Sequence, residues 1–229
     1  AAPGVPARPA SDLVLPISGS AGIETHGWFT EVVESQGGEF SLDAAVKTMR
    51  EKGILSRSNR TAPERGIFQS DTEELTLERS SGKLRILTPR TEAICMKRGT
   101  QEALRAFRIR KNTADSCVAL CAIDGRKLAE SSRMILLYMT EEANSNMILS
   151  ANRAALIEAG GSPLLARTGI LELELPHRPG SWKLHALGID GSRRETIPVK
   201  RNENSLQITL DTGVLQFGPT PFFELVAEE

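Results

Sequence analysis

The chain has 229 residues, of which 40% are hydrophobic and 25% are charged, and its formal net charge is -1. This is the composition of a globular protein, long enough for one large domain or for one domain and a connecting region. The balanced charge excludes a broad attraction to nucleic acid or to an anionic membrane, and no apolar stretch is long enough to span a bilayer.

Residues 1–66 are predicted to be a linker and a helical connector. Residues 1–20 are rich in Pro, Ala, Gly and Ser, which is typical of extended, poorly packed chain. They have neither the basic nor the apolar segment of a signal peptide, so we interpret them as a linker or as the cut edge of a longer protein. A short apolar cluster follows at Trp28, Phe29, Val32 and Val33.

One segment before residue 67 has a helical pattern. Ser41 is a suitable N-cap and Gly53 a suitable end. Between them, Leu42, Val46 and Met49 recur at helical spacing. A helix this short is marginal by itself, so we expect this face to dock on the rest of the fold or on a partner domain, with any uncovered apolar surface driving self-association.

From residue 67 the hydrophobic period changes to two, which predicts β-strands. Leu75–Glu78 and Leu84–Leu87 flank Ser80-Ser81-Gly82-Lys83, the signature of a hairpin. Further strands are predicted near 93–96, 107–110, 118–123, 134–139, 154–158, 169–175, 182–187, 195–199, 205–210 and 222–226, with a turn at 160–163. This pattern predicts an all-β fold, an antiparallel β-sandwich over residues 67–229 with a short N-terminal helical connector.

The polar residues do not converge on a recognisable reaction centre. His26, His177 and His185 lack the spacing of a metal site. No nucleophile elbow, phosphate-binding loop or dinucleotide fingerprint occurs. We therefore predict no catalytic, cofactor-binding or metal-binding residue, and no cofactor.

Two groups of charged residues are candidates for a catalytic or a glycan-binding site, and both are predicted to face solvent. Glu172 and Glu174 alternate with leucines on one strand, where neither is desolvated enough to act as a catalytic acid. A basic group comprises Lys97, Arg98, Arg105, Arg108, Arg110 and Lys111. It alternates in part with apolar residues, which indicates the wet face of a strand, and an anionic-glycan site stays an alternative. Trp182 is predicted to pack in the core or between domains rather than to bind sugar.

Three cysteines, Cys95, Cys117 and Cys121, have no metal-type spacing. Because free cysteines are among the most buried residues, they are predicted to be buried core thiols. Cys117 and Cys121 are four residues apart, which places both on one face of a strand. A disulfide is an open alternative, so the cysteines leave the redox compartment undecided.

Part of the chain resembles a known domain. Residues 67–75, 81–86 and 88–93 are similar to the motifs "SDTGEL" and "G-hydrophobic-x-hydrophobic-x-TPRTQ". These motifs are typical of the β-sandwich that follows the (β/α)8 barrel in some large bacterial glycoside hydrolases. Glu73 stands where the family often has Gly, and Glu92 stands where it often has Gln.

Later pieces fit the same pattern in the same order, so the resemblance covers about residues 41–226. Residues 131–137 with 144–147, 160–165, 184–191 and 221–225 resemble "S-x-R-hydrophobic" with "N-T-G-M", "GxGPVLVE", "V-x-A-L-D-x-D-G" and the terminal "WYEI". Ser145 and Asn146 depart from "N-T-G-M". The predicted helix and the residues after it resemble the segment that joins barrel to sandwich.

The resemblance implies the non-catalytic β-sandwich portion of a carbohydrate-active enzyme. In such enzymes the catalytic glutamates lie in the barrel, and no barrel precedes the sandwich in this sequence, so no catalytic residue is carried over. The implied partner is the (β/α)8 barrel, as a domain or as a separate chain, with polysaccharide as a further partner and neither nucleic acid nor membrane. The implied location is secreted or periplasmic. Pro89 is expected at a strand break, with Arg90 pairing with a carboxylate or with loop carbonyls.

Two alternatives stay open. One is a stand-alone carbohydrate-binding module, which exposed aromatic rings on a sheet face would favour. The other is a glycoside hydrolase with a site of scattered carboxylates, which a deep pocket with two facing carboxylates would favour. An apolar patch around Trp28, Phe29 and the 42–49 helix would favour the accessory role.

Overall fold

The computed structural model describes residues 42–176, 178–202 and 205–228. They are mostly β-structure in antiparallel sheets with one short α-helix, as the sequence predicts. The chain divides into two compact units, Ala1–Thr88 and Pro89–Glu229. The predicted boundary between residues 66 and 67 stays a prediction. The linker, the Ser41 cap, the Trp28–Phe29 cluster, His26 and His177 lie outside the described residues.

The described part of the first unit contains a helix and a three-stranded antiparallel meander. Its elements are α1 (Leu42–Glu51), a 3-10 helix (Pro63–Arg65), β1 (Ile67–Gln69), β2 (Leu75–Glu78) and β3 (Lys83–Leu87). Leu75 pairs with Ile86 and Glu78 pairs with Lys83, which confirms the predicted hairpin.

The helix α1 buries the face that its spacing predicts. Val46 and Met49 are buried and belong to one apolar cluster with Phe68 of β1, and Leu77 of β2 packs against that cluster. Each fully buried side chain of this kind contributes roughly 1.5–3 kcal/mol before entropy is counted. The strands of its own unit therefore cover this face, which is one of the two dockings that the sequence predicts. The helix thus contributes no open apolar patch in favour of the accessory role, and Trp28 and Phe29 lie outside the described residues.

A buried polar network holds the loop between α1 and β1. The Thr61 hydroxyl donates to the Gln69 carbonyl and accepts from the Gln69 N–H, both at 3.0 Å. The Asn59 side-chain amide donates to the Ser70 carbonyl at 2.7 Å. Arg50, near the end of α1, donates to the Thr61 carbonyl. These bonds satisfy backbone groups that would otherwise be buried without a partner.

The larger sheet of the second unit contains six strands. These are β4 (Thr91–Met96), β7 (Ser116–Ala122), β8 (Arg133–Met139), β14 (Ser181–Leu187), β15 (Arg193–Ile197) and β18 (Phe222–Glu228). Within this unit they lie in the order β4-β7-β8-β18-β14-β15, and every pairing is antiparallel. Sequence neighbours are often not sheet neighbours, so long-range pairing sets the order.

The smaller sheet of the second unit has the order β16-β17-β13-β6-β5. Its strands are β5 (Glu102–Ala103), β6 (Arg108–Asn112), β13 (Ile170–Pro176), β16 (Val199–Asn202) and β17 (Ser205–Asp211). One apolar cluster contains residues of both sheets, including Ile94, Val118, Leu136, Phe223, Ile109, Leu171, Leu173 and Ile208. The two sheets thus enclose one core, as in a sandwich.

A buried carboxylate ties the two sheets together. Glu92 of β4 accepts the Ala106 N–H at 2.8 Å and the Arg105 Nε–H at 3.1 Å. Ala106 lies just before β6 in the smaller sheet. Glu92 is only 3% exposed, so this bond links the sheets at the margin of the core.

Pro89 lies outside the strands, directly before β4, as predicted. Its carbonyl accepts the Leu128 N–H at 2.9 Å, and the Arg90 carbonyl accepts the Ala122 N–H at 2.8 Å. These bonds fix the backbone of the break. The pairing predicted for the Arg90 side chain stays a prediction.

A ribbon of short strands, residues 142–166, leaves the sandwich between β8 and β13. It consists of β9 (Glu142–Ser145), β10 (Ile148–Leu149), β11 (Leu156–Glu158) and β12 (Gly161–Ala166), with β9 paired to β12 and β10 paired to β11. The predicted turn at 160–163 is wrong in part, because β12 begins at Gly161. Pro163 is tolerated there because each strand of a two-stranded sheet has one open edge.

The ribbon doubles back on itself. Arg153, in the turn between β10 and β11, forms an ion pair with Glu141 at the base of the ribbon. Arg167 donates to the same carboxylate at 2.9 and 3.0 Å. In a straight ribbon, the turn that begins at residue 150 would lie about 30 Å from Glu141. Arg153, which lies in that turn, could then not reach Glu141.

The cysteines correct a prediction from sequence. Cys95 of β4 and Cys117 of β7 are directly paired in register and form a disulfide, and Cys121 is free. None of the three is buried, because they lie on the opposite face of their strands from the buried Ile94, Val118 and Leu120. The prediction of buried core thiols is therefore wrong.

This arrangement predicts a simple thiol count. Under denaturing, non-reducing conditions, alkylation followed by mass spectrometry is expected to label one cysteine per chain, Cys121, and to label three after reduction. The Cys95→Ser/Cys117→Ser variant is expected to lose about 3 kcal/mol of unfolding free energy. Cys121→Ser serves as the control with little effect. Three labelled cysteines before reduction would contradict the pairing.

Candidate functional site

A buried carboxylate held by two arginines lies on the outer face of the larger sheet. Glu224 alternates with Phe223 and Leu225, which point into the core, so its own side chain points away from the core. Its Oε1 accepts the Arg133 Nε–H at 2.6 Å, and its Oε2 accepts the Arg193 Nε–H at 2.6 Å. Glu224 is 3% exposed although both arginines reach solvent. We call these three residues the Glu224 cluster.

The register of the sheet builds this cluster from three strands. Glu224 of β18 pairs with Ile135 of β8 on one side and with His185 of β14 on the other. Arg133 begins β8 and Arg193 begins β15. The two arginines therefore approach the carboxylate from opposite sides, and each occupies a different oxygen.

The electrostatics of the cluster keep Glu224 ionised. Hydrogen bonds from Arg193 and Arg133 lower the pKa of Glu224, although burial acts in the opposite direction. The same pair raises the pKa of Arg193. A carboxylate with both oxygens occupied and a lowered pKa cannot donate a proton, so it is unsuited to general acid catalysis.

His185 lies beside the cluster without joining it. Its Nδ1 is 3.1 Å from the Thr196 hydroxyl. Burial, and then the positive charge of Arg193, lower the pKa of His185, so the ring is neutral at pH 7. A neutral ring bonded to a threonine is a packing residue of this face.

Among the described residues, the other carboxyl groups with a shifted pKa also lack the raised pKa of a general acid. Where the described residues perturb the pKa of a carboxyl group, the pKa falls. For Asp124, burial favours a higher pKa, but the Ser132 N–H and the Ser131 hydroxyl donate to the carboxylate and lower it. A glycosidase needs one carboxyl with a raised pKa.

The predicted strand faces of Glu172 and Glu174 are confirmed. Both lie on β13 opposite the buried leucines. Glu174 forms ion pairs with Arg108 and Arg110 of β6, and Glu172 forms an ion pair with Lys111 at 3.5 Å. These side chains tie β13 to β6.

Two more members of the basic group, Lys97 and Arg105, have carboxylate partners. Lys97 lies 3.4 Å from Asp115, and Arg105 binds the buried Glu92. The Arg98 N–H donates to Asp115. Arg108 and Arg110 share the single carboxylate of Glu174, so the group keeps a net positive charge, and the anionic-glycan alternative stays a prediction.

Trp182 packs against the sandwich core, as predicted. Its Nε1–H donates to the Pro179 carbonyl at 2.9 Å, and the Arg178 guanidinium lies 5.7 Å from the ring centroid. Arg178 is buried and donates to the carbonyls of Leu128 and Ser131. The sequence predicts an exposed turn over residues 176–180, and the burial of Arg178 shows that this prediction is wrong for that side chain.

One concavity among the described residues is an open groove of about 440 Å³ in the first unit, between α1 and the 3-10 helix. Its carboxylates, on Asp43, Glu51 and Glu64, are all exposed. Lys47 lies 3.9 Å from Glu51. Because these carboxylates are exposed, the groove lacks the desolvated carboxyl group of a glycosidase cleft.

Two further observations apply to the described part of the chain. No three His, Cys, Asp or Glu side chains come together there as metal ligands. None of its helices has the length and apolarity that crossing a bilayer requires.

No protein-family model, no curated protein and no solved structure matches the chain.

The sequence did not indicate the Glu224 cluster. Its members come from positions 133, 193 and 224, and only the strand order and register bring them together. One local signal existed, since Glu224 interrupts an apolar strand as a charged residue. That signal does not identify its arginine partners.

The cluster predicts a pH-dependent contribution to stability. Glu224→Gln is expected to lower the unfolding free energy at pH 7 by about 2 kcal/mol, because hydrogen bonds to charged groups contribute in this range. The folded-state pKa of Glu224 is lowered from its ordinary value of 4.5. Its contribution is therefore present above pH 4.5 and lost as the pH falls through the folded-state pKa.

Urea unfolding of the wild type and Glu224→Gln at several pH values measures this difference. Glu172→Gln is the matched control, because its ion pair with Lys111 is exposed and is expected to matter by less than about 1 kcal/mol. A difference for Glu224→Gln that stays constant from pH 7 to the acid limit would contradict the account.

Proposed function

We propose that the chain is the non-catalytic β-sandwich portion of a carbohydrate-active enzyme, supporting a (β/α)8 catalytic barrel that lies outside this sequence. The observation that carries the proposal concerns backbone conformation. Three described non-glycine residues have positive φ, namely Glu73, Asn146 and Arg153. Glu73 and Asn146 occupy the positions at which the resembled family has Gly in "SDTGEL" and "N-T-G-M".

This coincidence has a physical reason. A positive φ is strained for most side chains and free for glycine, so a family with this backbone would favour Gly at both positions. The motif glycine at Gly160 agrees, since its φ is +64° and a Cβ there would lie 2.2 Å from the Ser145 carbonyl oxygen. Positions where the backbone has positive φ therefore coincide with glycine positions of the family motifs, which supports the resemblance.

The structural roles of other motif residues also support it. Arg133 of "S-x-R-hydrophobic" and Glu224 of "WYEI" form one ion pair across 91 positions of sequence. Glu92, where the family often has Gln, accepts the Ala106 N–H, a bond that an amide oxygen would also accept. The motif residues thus act as structural ties.

The Cys95–Cys117 disulfide supports a secreted or periplasmic location for the protein. Disulfides persist in oxidising compartments and are rare in the cytosol. Large polysaccharides are also degraded outside the cytoplasm, so the location suits the proposed enzyme.

The two alternatives have less support. A carbohydrate-binding module needs exposed rings, and Phe217 is the one largely exposed aromatic side chain among the described residues. A hydrolase in its own right needs facing carboxylates with separated pKa values, and both buried glutamates of the described chain are bound to arginine.

The positive φ of Glu73 is tested by substituting glycine and alanine at Glu73 and at the adjacent Glu74. Both changes at Glu73 remove its hydrogen bonds to Ser56 and Ser58, so their difference isolates the backbone. Glu73→Gly is expected to be more stable than Glu73→Ala by about 1 kcal/mol. At Glu74, whose φ is ordinary, the order is expected to reverse by about 0.5–1 kcal/mol. Thermal unfolding measures both pairs, and the same order at both positions would count against the conformation at residue 73.

The function itself is tested by assaying the purified chain on a panel of plant and algal polysaccharides. We expect no release of reducing sugar and no retardation in affinity electrophoresis, because the described chain offers neither an acid–base pair nor an aromatic platform. Turnover that disappears when one Asp or Glu is changed to Ala would establish the hydrolase alternative. Retardation by one polysaccharide, lost in Phe217→Ala or Trp182→Ala, would establish the binding-module alternative.

A further inference from the structure

Several elements of the second unit end at the same place. β8 ends at Met139, from which the ribbon departs. Phe222, the first residue of β18, pairs with Leu137, and Phe223 pairs with Ala186 near the end of β14. The ribbon, the loop before β18 and the turn after β14 therefore all lie at one end of the unit, which we call the ribbon end.

Exposed apolar side chains collect at the ribbon end. Five lie on the ribbon itself and form what we call the ribbon cluster: Ile148, Leu156, Ile157, Leu164 and Leu165. Four more belong to the adjoining segments: Met139, Ile189, Val214 and Phe217. Among the described residues, one further large apolar side chain is exposed, Ile123, and it follows β7 at the opposite end.

These apolar side chains are more exposed, and more concentrated at one end of the unit, than on an ordinary protein surface. Ile157 is 63% exposed, Phe217 66% and Ile189 94%. Single exposed apolar residues are common, but nine of them at one end of a unit indicate an interaction surface. A two-stranded ribbon is also marginal in water without cover on a face.

The charges at the ribbon end select the kind of partner. Glu141 is bound by Arg153 and Arg167, and Asp190 lies 3.1 Å from Arg194. These arginines are bound to carboxylates, and the ribbon also carries the exposed carboxylates of Glu142 and Glu158. The end therefore offers few free cations to a phosphate backbone or an anionic lipid headgroup, and the matching surface is mainly apolar.

We propose that the ribbon end is a self-association surface and that its occupant is a second copy of this chain. A two-fold interface requires a surface that complements itself, and apolar side chains can pack against their own copies in this way. The formal net charge of -1 gives two copies little repulsion. The proposal does not depend on the proposed function.

The available area agrees with a moderate dimer. The nine side chains offer roughly 500 Å² of apolar surface per copy, against about 800 Å² per partner in a standard interface. Backbone hydrogen bonds can add to this interface. In the described chain, each strand of the ribbon's two-stranded sheets has one edge that is not paired with another strand. Identical edges can pair antiparallel about a two-fold axis.

Sedimentation velocity of the full chain from about 1 to 200 µM tests the proposal. We expect a concentration-dependent shift from a species of 24.9 kDa to one of twice that mass. Ile157→Glu and Phe217→Glu, on different segments of the ribbon end, are each expected to weaken the dimer at least 10-fold. Ile123→Glu places the same charge at the opposite end and is the matched control.

The variants change exposed positions, and equal melting temperatures verify that they fold. A chain that stays monomeric throughout the range overturns the proposal. So does a dimer that both ribbon-end variants leave intact, or that Ile123→Glu weakens as much as they do. A monomer that binds vesicles of phosphatidylcholine with phosphatidylserine, and loses this binding in Phe217→Glu, assigns the surface to lipid instead and overturns it as well.

Discussion

The core between the two sheets of the second unit is the feature on which the rest of that unit depends. Alternate residues of β13 and β17 point into it, and the residues between them carry charge or hydroxyl groups outward. This alternation fixes the register, because a shift by one residue would exchange buried leucines for charged groups. The outward ion pairs of Glu174 and the buried tie of Glu92 follow from that register.

Local patterns in the sequence predict most of the helices and strands, but they do not predict which strands pair with each other. The helix from Leu42, the hairpin at Ser80–Lys83 and most strands follow from spacing and turn residues within a few positions. The disulfide, the Glu224 cluster and the folded ribbon depend on which strands become neighbours. Cys95 and Cys117 meet because β4 pairs with β7, which the spacing of 22 residues does not reveal. Contacts of this kind are set by long-range packing, which single-sequence periodicity does not contain.

The polar chemistry of the second unit serves to hold strands together. Glu92 joins the two sheets, Glu224 draws β8 and β15 towards β18, and Glu141 fastens the ribbon to its base. A carboxylate with arginine on its oxygens is a poor acid and a poor nucleophile, but it holds geometry firmly. Such an arrangement agrees with the proposal that this chain supports a catalytic domain.

The claim that this chain supports a catalytic barrel is tested most directly by the gene that encodes it. The reading frame upstream of Ala1, or a neighbouring gene, would be expressed with and without this chain, and kcat/KM on polysaccharide would be measured together with the melting temperature. The account predicts a (β/α)8 barrel with two facing glutamates, whose activity or stability falls when the sandwich is removed. The absence of any barrel, or a barrel whose activity and stability are the same without this chain, would contradict it.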